Sequence, residues 1–253
     1  MKIIFVLPAF VVSLLLSGSA LAIDHPIVPH EAEYRVKISL LRGRMSTRVE
    51  AFDAGYRAQS TIEPKGFASI LKNGSILEKS EFVLTPGGIR PNHYESSDSL
   101  SKRPKDMSFE FDWPARMIVG EINEDVHVFD IDGLVQDRVS IQYELMHQLL
   151  HEEQVSDYAM LDGDEVKQLT VSRIGIRTID VPFGEFEAVG IQHSAKNSSR
   201  VTTLWCVREL GFLPAIIEQH RDGKLKVRAE LSSYAPIIAA DTESVAEPLP
   251  TME

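Results

Sequence analysis

The sequence predicts a mainly β protein: a large antiparallel barrel, half-barrel or curved sheet with one principal α-helix. From Glu31 onward the chain is a succession of short segments in which apolar and polar residues alternate with a period of two, as in half-buried strands. Turn-forming clusters separate these segments, among them Asn73-Gly74, Pro86-Gly87-Gly88, Asp162-Gly163 and Asp222-Gly223. One stretch, residues 137–153, shifts to a helical period.

The first segment is a leader rather than a strand. Met1 and Lys2 precede a mostly apolar run over residues 3–16, and Ser17-Gly18-Ser19 leads into Ala20-Leu21-Ala22. A cationic start, an apolar segment of about 7–15 residues and an A-x-A ending are the parts of a secretory signal. The run is shorter than the roughly 20 residues that an ordinary membrane span requires. Cleavage after Ala22 and export to a bacterial periplasm are therefore expected. No cysteine lies near the cleavage region. The N-terminus then cannot take the lipoprotein modification, and release in soluble form is expected. Residues 23–30, with Pro26 and Pro29, read as a short leader.

Residues 31–235 read as a single antiparallel β domain. Its first strand places Tyr34, Val36, Ile38 and Leu40 on one face and is interrupted at Gly43. Further strands are expected at 45–52, 56–62, 75–84, 89–96, 107–112, 116–122 and 126–130. After Ser156 the alternation resumes at 166–174, 177–181, 185–193, 201–207, 215–220 and 224–234. Asp222-Gly223, set between two such runs, is the strongest hairpin signal. Short strands joined in sequence favour pairing between neighbours.

The helix expected at 137–153 carries an apolar stripe of Val139, Tyr143, Met146, Leu149 and Leu150, with Asp137 as its N-terminal cap. Packing across one face or one end of the sheet is its expected role, and a shorter helical turn is expected at 67–73. Beyond Pro236 the chain to Glu253 is small, acidic and proline-containing, and reads as a disordered tail.

Composition excludes several functions. With 253 residues the chain can bury a substantial core, roughly 70% of its unfolded-chain surface. The single cysteine, Cys206, rules out an internal disulfide, so that core must hold unaided; a buried, inert thiol is expected. A net charge of −11 argues against nucleic-acid partners, whose phosphates need clustered Lys and Arg. It also disfavours simple electrostatic adsorption to anionic lipid.

Candidate chemistry is sparse. His147 and His151 stand four apart on the expected helix, beside Glu152 and Glu153, but neither H-E-x-x-H nor H-x-x-E-H is present. A third ligand could come only from a distant residue such as His127 or His193. A polar helix edge is the expected reading, and no metal site is assigned. The acidic residues Asp130, Asp132 and Asp137, and those of 162–165, lack the twelve-residue calcium loop; a turn and a helix cap account for them. No G-x-S-x-G elbow and no glycine-rich phosphate or dinucleotide loop occurs, so no catalytic residue and no cofactor is assigned. Two carboxylates across a cleft suffice for a glycosidase, and 37 acidic residues leave that alternative open. Aromatic residues by default fill the core or cover a barrel mouth. Alternatively, Trp113, Phe186, Trp205 and Phe212 line an apolar cavity, and these four are the candidate ligand-binding residues.

Several of these segments recur in a known order. They are Tyr34 in an opening strand, Ile89-Arg90-Pro91-Asn92-His93-Tyr94 with its P-x-x-Y step, and Phe111-Asp112-Trp113. The helix start Asp137-Arg138-Val139-Ser140 follows, then Gly184-x-Phe186-x-Ala188-Val189, then Leu204-Trp205 with Gly211-Phe212-Leu213-Pro214. In that order they resemble the bacterial exported domain-of-unknown-function family numbered thirty-one-oh-eight, over about 31–234. The resemblance implies an exported, largely β protein and brings no reaction with it.

Two functional classes follow. The first is a non-enzymatic periplasmic binding or envelope-maintenance module carrying an apolar, lipid-like ligand. Its plan is similar to that of the half-barrel carriers that shield lipoprotein acyl chains, a likeness of architecture alone. The second is a hydrolase acting on cell-envelope glycan or ester. Expected partners are an apolar small molecule or lipid and an envelope protein, with no nucleic acid and no stable membrane insertion. N-terminal sequencing of exported protein should begin at Ile23; a retained Met1 would contradict the export signal.

Overall fold

A computed structural model describes residues 27–237 except 53–54, 72 and 152–153. The expected signal at 1–22, the leader up to residue 26 and the tail from residue 238 lie outside the described residues. The period-two segments become β1 (His30–Ile38), β2 (Leu41–Phe52), β3 (Gly55–Lys65), β4 (Ile76–Thr85), β5 (Gly88–Asp98), β6 (Lys105–Asp112), β7 (Met117–Ile122) and β8 (Asp125–Asp130). A short helix α1 (Phe67–Leu71) links β3 to β4. Then come β9 (Val135–Gln136), the helix α2 (Ser140–Leu150), β10 (Tyr158–Leu161), β11 (Val166–Val181), β12 (Gly184–Ala195), β13 (Arg200–Val207), β14 (Leu213–Arg221) and β15 (Lys224–Pro236).

All fifteen strands belong to one sheet, in the spatial order β8-β7-β6-β5-β4-β3-β2-β1-β15-β14-β13-β12-β11-β10-β9. Two meanders are thus joined where the first and last strands meet, with His30 opposite Pro236 and Ile38 opposite Val227. Pairing is antiparallel except between β9 and β10. The sheet curls until its β9 edge reaches β5 on the other half, where Gln136 Nε2 donates to the Ile89 carbonyl at 2.7 Å. Closure there is made by a side chain rather than by a continued ladder.

Alternation decides which face enters the core. On β1, His30, Ala32, Tyr34 and Val36 are buried while Glu31 and Arg35 are exposed. On β6, Met107, Phe109 and Phe111 are buried between exposed Asp106, Ser108, Glu110 and Asp112. Cys206 is buried as expected, and burial pushes its thiol up to about 12, leaving it unreactive. Asp222 and Gly223 take φ of 53° and 69°, the paired positive angles of a tight hairpin turn, and join β14 to β15.

Several elements differ from the sequence expectation. Segments 166–174 and 177–181 are a single strand, β11, whose register shifts between Arg173 and Gly175. A bulge, not a turn, explains the apparent break. Strands β9 and β10 were not anticipated; two and four residues are too few for a period to register. The helix proper spans Ser140–Leu150 rather than 137–153, and it packs on the concave face of the sheet, inside its curve. Ser140, Ile141, Tyr143, Glu144, Leu145, Met146, His147, Gln148 and Leu149 are all buried.

Polar groups buried with that helix are tied to the sheet. The fully buried Asp137 carboxylate accepts the N–H groups of Val139 and Ser140 through Oδ1, both at 2.7 Å, and the Ser80 hydroxyl through Oδ2 at 2.5 Å. In return, the Ser140 hydroxyl accepts the Asp137 N–H at 2.9 Å. Asp137 is therefore the cap the sequence anticipated, and it also fastens the helix to β4. One helical segment further on, Glu144 accepts the Ile89 N–H at 2.6 Å and the Gln148 amide at 3.0 Å. The chain permits this approach because residue 88 is glycine: its φ is +107°, and a Cβ there would stand 2.8 Å from Glu144 Oε2.

Two stability measurements check this anchoring. Burial pushes the Asp137 carboxyl up from 3.8 to about 6. Its protonated form is favoured in the fold, so its contribution is fully present below the unfolded value and is lost as pH rises through about 6. Asp137→Asn should remove this dependence: the stability difference between wild type and variant, from denaturant unfolding, should change between pH 4 and 6.5 and be level above. Gly88→Ala should cost about 2–5 kcal/mol, since strain adds to disturbed buried hydrogen bonds. Gly223→Ala, with the same sign of φ and open space around it, should cost only about 1–2 kcal/mol.

Candidate functional site

The turns at one end of the curved sheet gather residues 39–40, 99–104, 162–165, 196–199 and 222–223. A cavity of about 380 Å³ opens at this end, between the N-terminal half of α2 and strands β2, β3, β11, β12, β13 and β14. That volume lies within the range of small-molecule sites, about 300–1,000 Å³.

The β13–β14 wall is built by alternation. Register sets Arg200 opposite Arg221, Thr202 opposite Gln219 and Leu204 opposite Ile217, and all six line the cavity. Side chains two apart share a face, so this wall grades from charged at the strand ends through polar to apolar deeper in. Across the cavity the order is reversed: the pair Met45 and Ile62 lies nearer the strand ends than the pair Thr47 and Ser60. From α2 and its cap come Arg138, Val139, Ile141, Tyr143 and Leu145. The Thr47 hydroxyl is buried in this wall without a hydrogen-bond partner. Such an atom costs about 1–3 kcal/mol while unpaired.

Charge in the cavity is cationic although the chain is acidic. Arg138, Lys167, Arg200 and Arg221 line it against Glu78 and Asp162. Arg138 Nε stands 3.2 Å from Glu78 Oε1 and 3.9 Å from Asp162 Oδ1, and Lys167 Nζ 2.6 Å from Asp162 Oδ2. Tyr94 donates its hydroxyl to Glu78 at 3.0 Å. Burial alone would raise Asp162, but the Lys167 hydrogen bond and the Arg138, Lys167 and Arg200 charges outweigh it and hold the carboxyl below its usual range. Both carboxylates are thus already engaged. Arg200 and Arg221, directly opposed and like-charged, have no carboxylate within ion-pair distance among the described residues. His193, also in the wall, is pushed down to about 4 by burial and is neutral at pH 7.

The four aromatic candidates are not brought together, and none lines this cavity. Trp113 borders a separate depression at the opposite end, with Arg90, Arg116, Ile131 and Leu134; its Nε1 donates to the Pro91 carbonyl at 2.7 Å. Phe186 stacks on Phe183 with ring centroids 5.9 Å apart. Trp205 is covered by the Arg177 guanidinium 3.7 Å from its ring centroid. Phe212 is buried, takes a φ of 61° and donates its N–H to the Val207 carbonyl at 2.8 Å. Their shared cavity is corrected to dispersed packing: a large ring on a strand reaches the core or the sheet exterior according to residue parity, and Trp205 stands on the opposite parity to Thr202 and Leu204. The lining residues that were missed, Arg138, Thr202, Leu204, Ile217 and Gln219, carry a signal only as the two-residue series Arg200, Thr202, Leu204 read against its partner strand.

The histidines do not converge either. His147 and His151 have ring centroids 4.2 Å apart, and His151 Nδ1 bonds the His147 carbonyl at 2.9 Å. His127 stacks on Phe129 in β8, and His193 stands in the cavity wall. Among the described residues no group of three or more His, Cys, Asp or Glu is placed to hold a metal ion. Of the acidic turn residues, Asp132 pairs with Arg116 at 3.4 Å and Glu165 with Lys167 at 3.0 Å.

Comparison with known proteins matches this architecture. No curated protein is significantly similar to the chain. A crystal structure of a β-barrel-like protein of the domain of unknown function DUF1849, from Brucella abortus, superposes with a TM-score of 0.56 at 12% identity, covering 84% of this chain and 99% of that one. A Bacteroides fragilis protein with a YmcC-like fold gives a TM-score of 0.34 at 9% identity, covering 81% of this chain and 95% of that one. The first likeness is one of fold. The family described as "Protein of unknown function (DUF3108)" matches residues 32–230, nearly the whole described sheet. The chain belongs to that family.

Proposed function

We propose that this protein is an exported, non-enzymatic binding module of the cell envelope, whose cavity takes a ligand with an apolar body and a polar or anionic head. The observation that carries this reading is the graded β13–β14 wall, from Arg200 and Arg221 through Thr202 and Gln219 to Leu204 and Ile217. An amphiphile matches that gradient, with its head beside the opposed arginines and its chain against Leu204, Ile217 and Leu145. Export rests on the sequence of residues 1–22. Among the described residues no helix is long and apolar enough to cross a membrane.

The hydrolase alternative finds less support. A glycosidase needs a carboxylic acid with a raised pKa facing a second, available carboxylate. In the cavity, Asp162 is shifted the other way and Glu78 is held by Arg138 and Tyr94. Asp137 does have a raised pKa, but it is fully buried and spends its oxygens on the helix cap.

The test uses an anionic apolar dye, 1-anilinonaphthalene-8-sulfonate, together with native mass spectrometry of gently purified protein. Wild type should bind the dye at one site and carry a co-purified lipid or fatty acid. Ala195→Trp and Ser60→Phe, which place bulk into the cavity, should each abolish dye binding while near-UV circular dichroism stays unchanged. A clean apo mass with no dye binding by the wild type contradicts the reading, as does undiminished binding by both folded variants.

A further inference from the structure

The end of the sheet that bears the cavity also bears the most exposed apolar side chains. Leu40 is 94% exposed, Ile70 80% and Phe67 71%, the three highest values among the large hydrophobic side chains described. They are neighbours by construction. Arg42 pairs with Lys65 at the end of the β2–β3 ladder, which sets the β1–β2 turn beside the start of α1. Helix α1 buries Ala68 and leaves Phe67 and Ile70 outward, while Ile38 and Leu41 extend the patch at 44% and 42% exposure. A soluble surface rarely groups side chains of this size without a binding role.

Charge around the patch identifies the partner's chemistry. Arg42 and Lys65 flank it, and Lys224 opens β15 next to the β1 end, where Ile38 pairs with Val227. Arg200 and Arg221 stand at the same end. Of the nearby acids, Glu63 is paired with Lys65 and Arg44, and Asp162 with Lys167, while Asp222 occupies the β14–β15 turn. The opposite end mixes signs at its strand ends and turns, with Asp112, Asp130, Asp180 and Glu185 beside Arg90, Arg116 and Arg208. On a chain of net charge −11, Arg42, Lys65 and Lys224 beside the patch thus form a local basic cluster, although the same end also bears Asp98, Asp106, Glu124 and Asp164 away from it.

We propose that the cavity end docks on an anionic lipid surface, with Leu40, Phe67 and Ile70 entering the interface and the surrounding Lys and Arg lying against the headgroups. Exposed apolar tips ringed by cations are the composition that binds an anionic interface, and each cation near such a surface strengthens the binding. The patch and the cations beside it orient the molecule, turning the opposite end away. Whole-chain charge, which opposes adsorption, acts at longer range and is screened beyond about 10 Å at ordinary salt. The docking stands on the patch and its charges and not on what fills the cavity.

Flotation of the exported protein with phosphatidylcholine vesicles, with and without phosphatidylglycerol, tests this. Wild type should float with the phosphatidylglycerol vesicles and be released by salt. Leu40→Ser combined with Phe67→Ser and Ile70→Ser should lower vesicle partition about tenfold or more, and Arg42→Glu with Lys224→Glu should remove the preference for the anionic vesicles. Both variants should still bind the anionic dye, which separates a failure of docking from a failure of the cavity. Absence of wild-type binding, or undiminished binding by the triple variant, overturns the proposal. So does a wild-type dimer that the triple variant converts to a monomer, because the patch then belongs to a second copy of the chain.

Discussion

The structure depends on burying the helix Ser140–Leu150 inside the curve of the sheet. A helix enclosed on this scale brings backbone and side-chain polar groups out of water, and each must find a partner. Asp137 and Glu144 supply them. One carboxylate closes the helix N-terminus and takes the Ser80 hydroxyl of β4; the other takes the Ile89 N–H of β5. The same region of β5 receives the Gln136 amide on the Ile89 carbonyl. Sheet curvature, edge closure and helix position thus converge on a few buried hydrogen bonds around residues 80, 88–89, 136–137 and 144.

That anchoring also makes the cavity. Fixing the helix N-terminus against β4 and β5 leaves space between it and the opposite wall of β11–β14, and Arg138, next to the cap, reaches across to Glu78 and Asp162. The two native carboxylates are neutralised there by Arg138 and Lys167, so Arg200 and Arg221 stand as surplus positive charge at the opening. Opposed like charges on paired strands are unfavourable by a few tenths to about 1 kcal/mol. An anion that bridged them would remove that cost, which is why the proposed ligand carries a charged head as well as an apolar chain.

Most of the fold was legible in the sequence because period-two alternation and turn pairs are local signals. Asp222-Gly223 gave its hairpin, Asp137 its cap and residues 67–73 their short helix. The glycine bulge in β11 imitated a strand break, and β9 and β10 were too short to show a period. The cavity was not legible. Aromatic size singled out Trp113, Phe186, Trp205 and Phe212, yet the lining is set by the parity of Arg200, Thr202 and Leu204 relative to the helix, a long-range property of sheet closure. The exposed Leu40 and Ile70 were likewise hidden, because Leu40 continues the apolar face of β1 in sequence and leaves it only at the turn.

On the proposed function, one amphiphile occupies the space between the N-terminal half of the helix and the β13–β14 wall. Isotope-edited NMR of methyl-labelled protein with a medium-chain fatty acid locates such a ligand. Cross-peaks are expected from the acyl chain to the methyl groups of Leu145, Leu204 and Ile217, together with shifted side-chain resonances of Arg200 and Arg221. Cross-peaks confined to exposed methyl groups such as those of Leu40 and Ile70, or none at all, would contradict it.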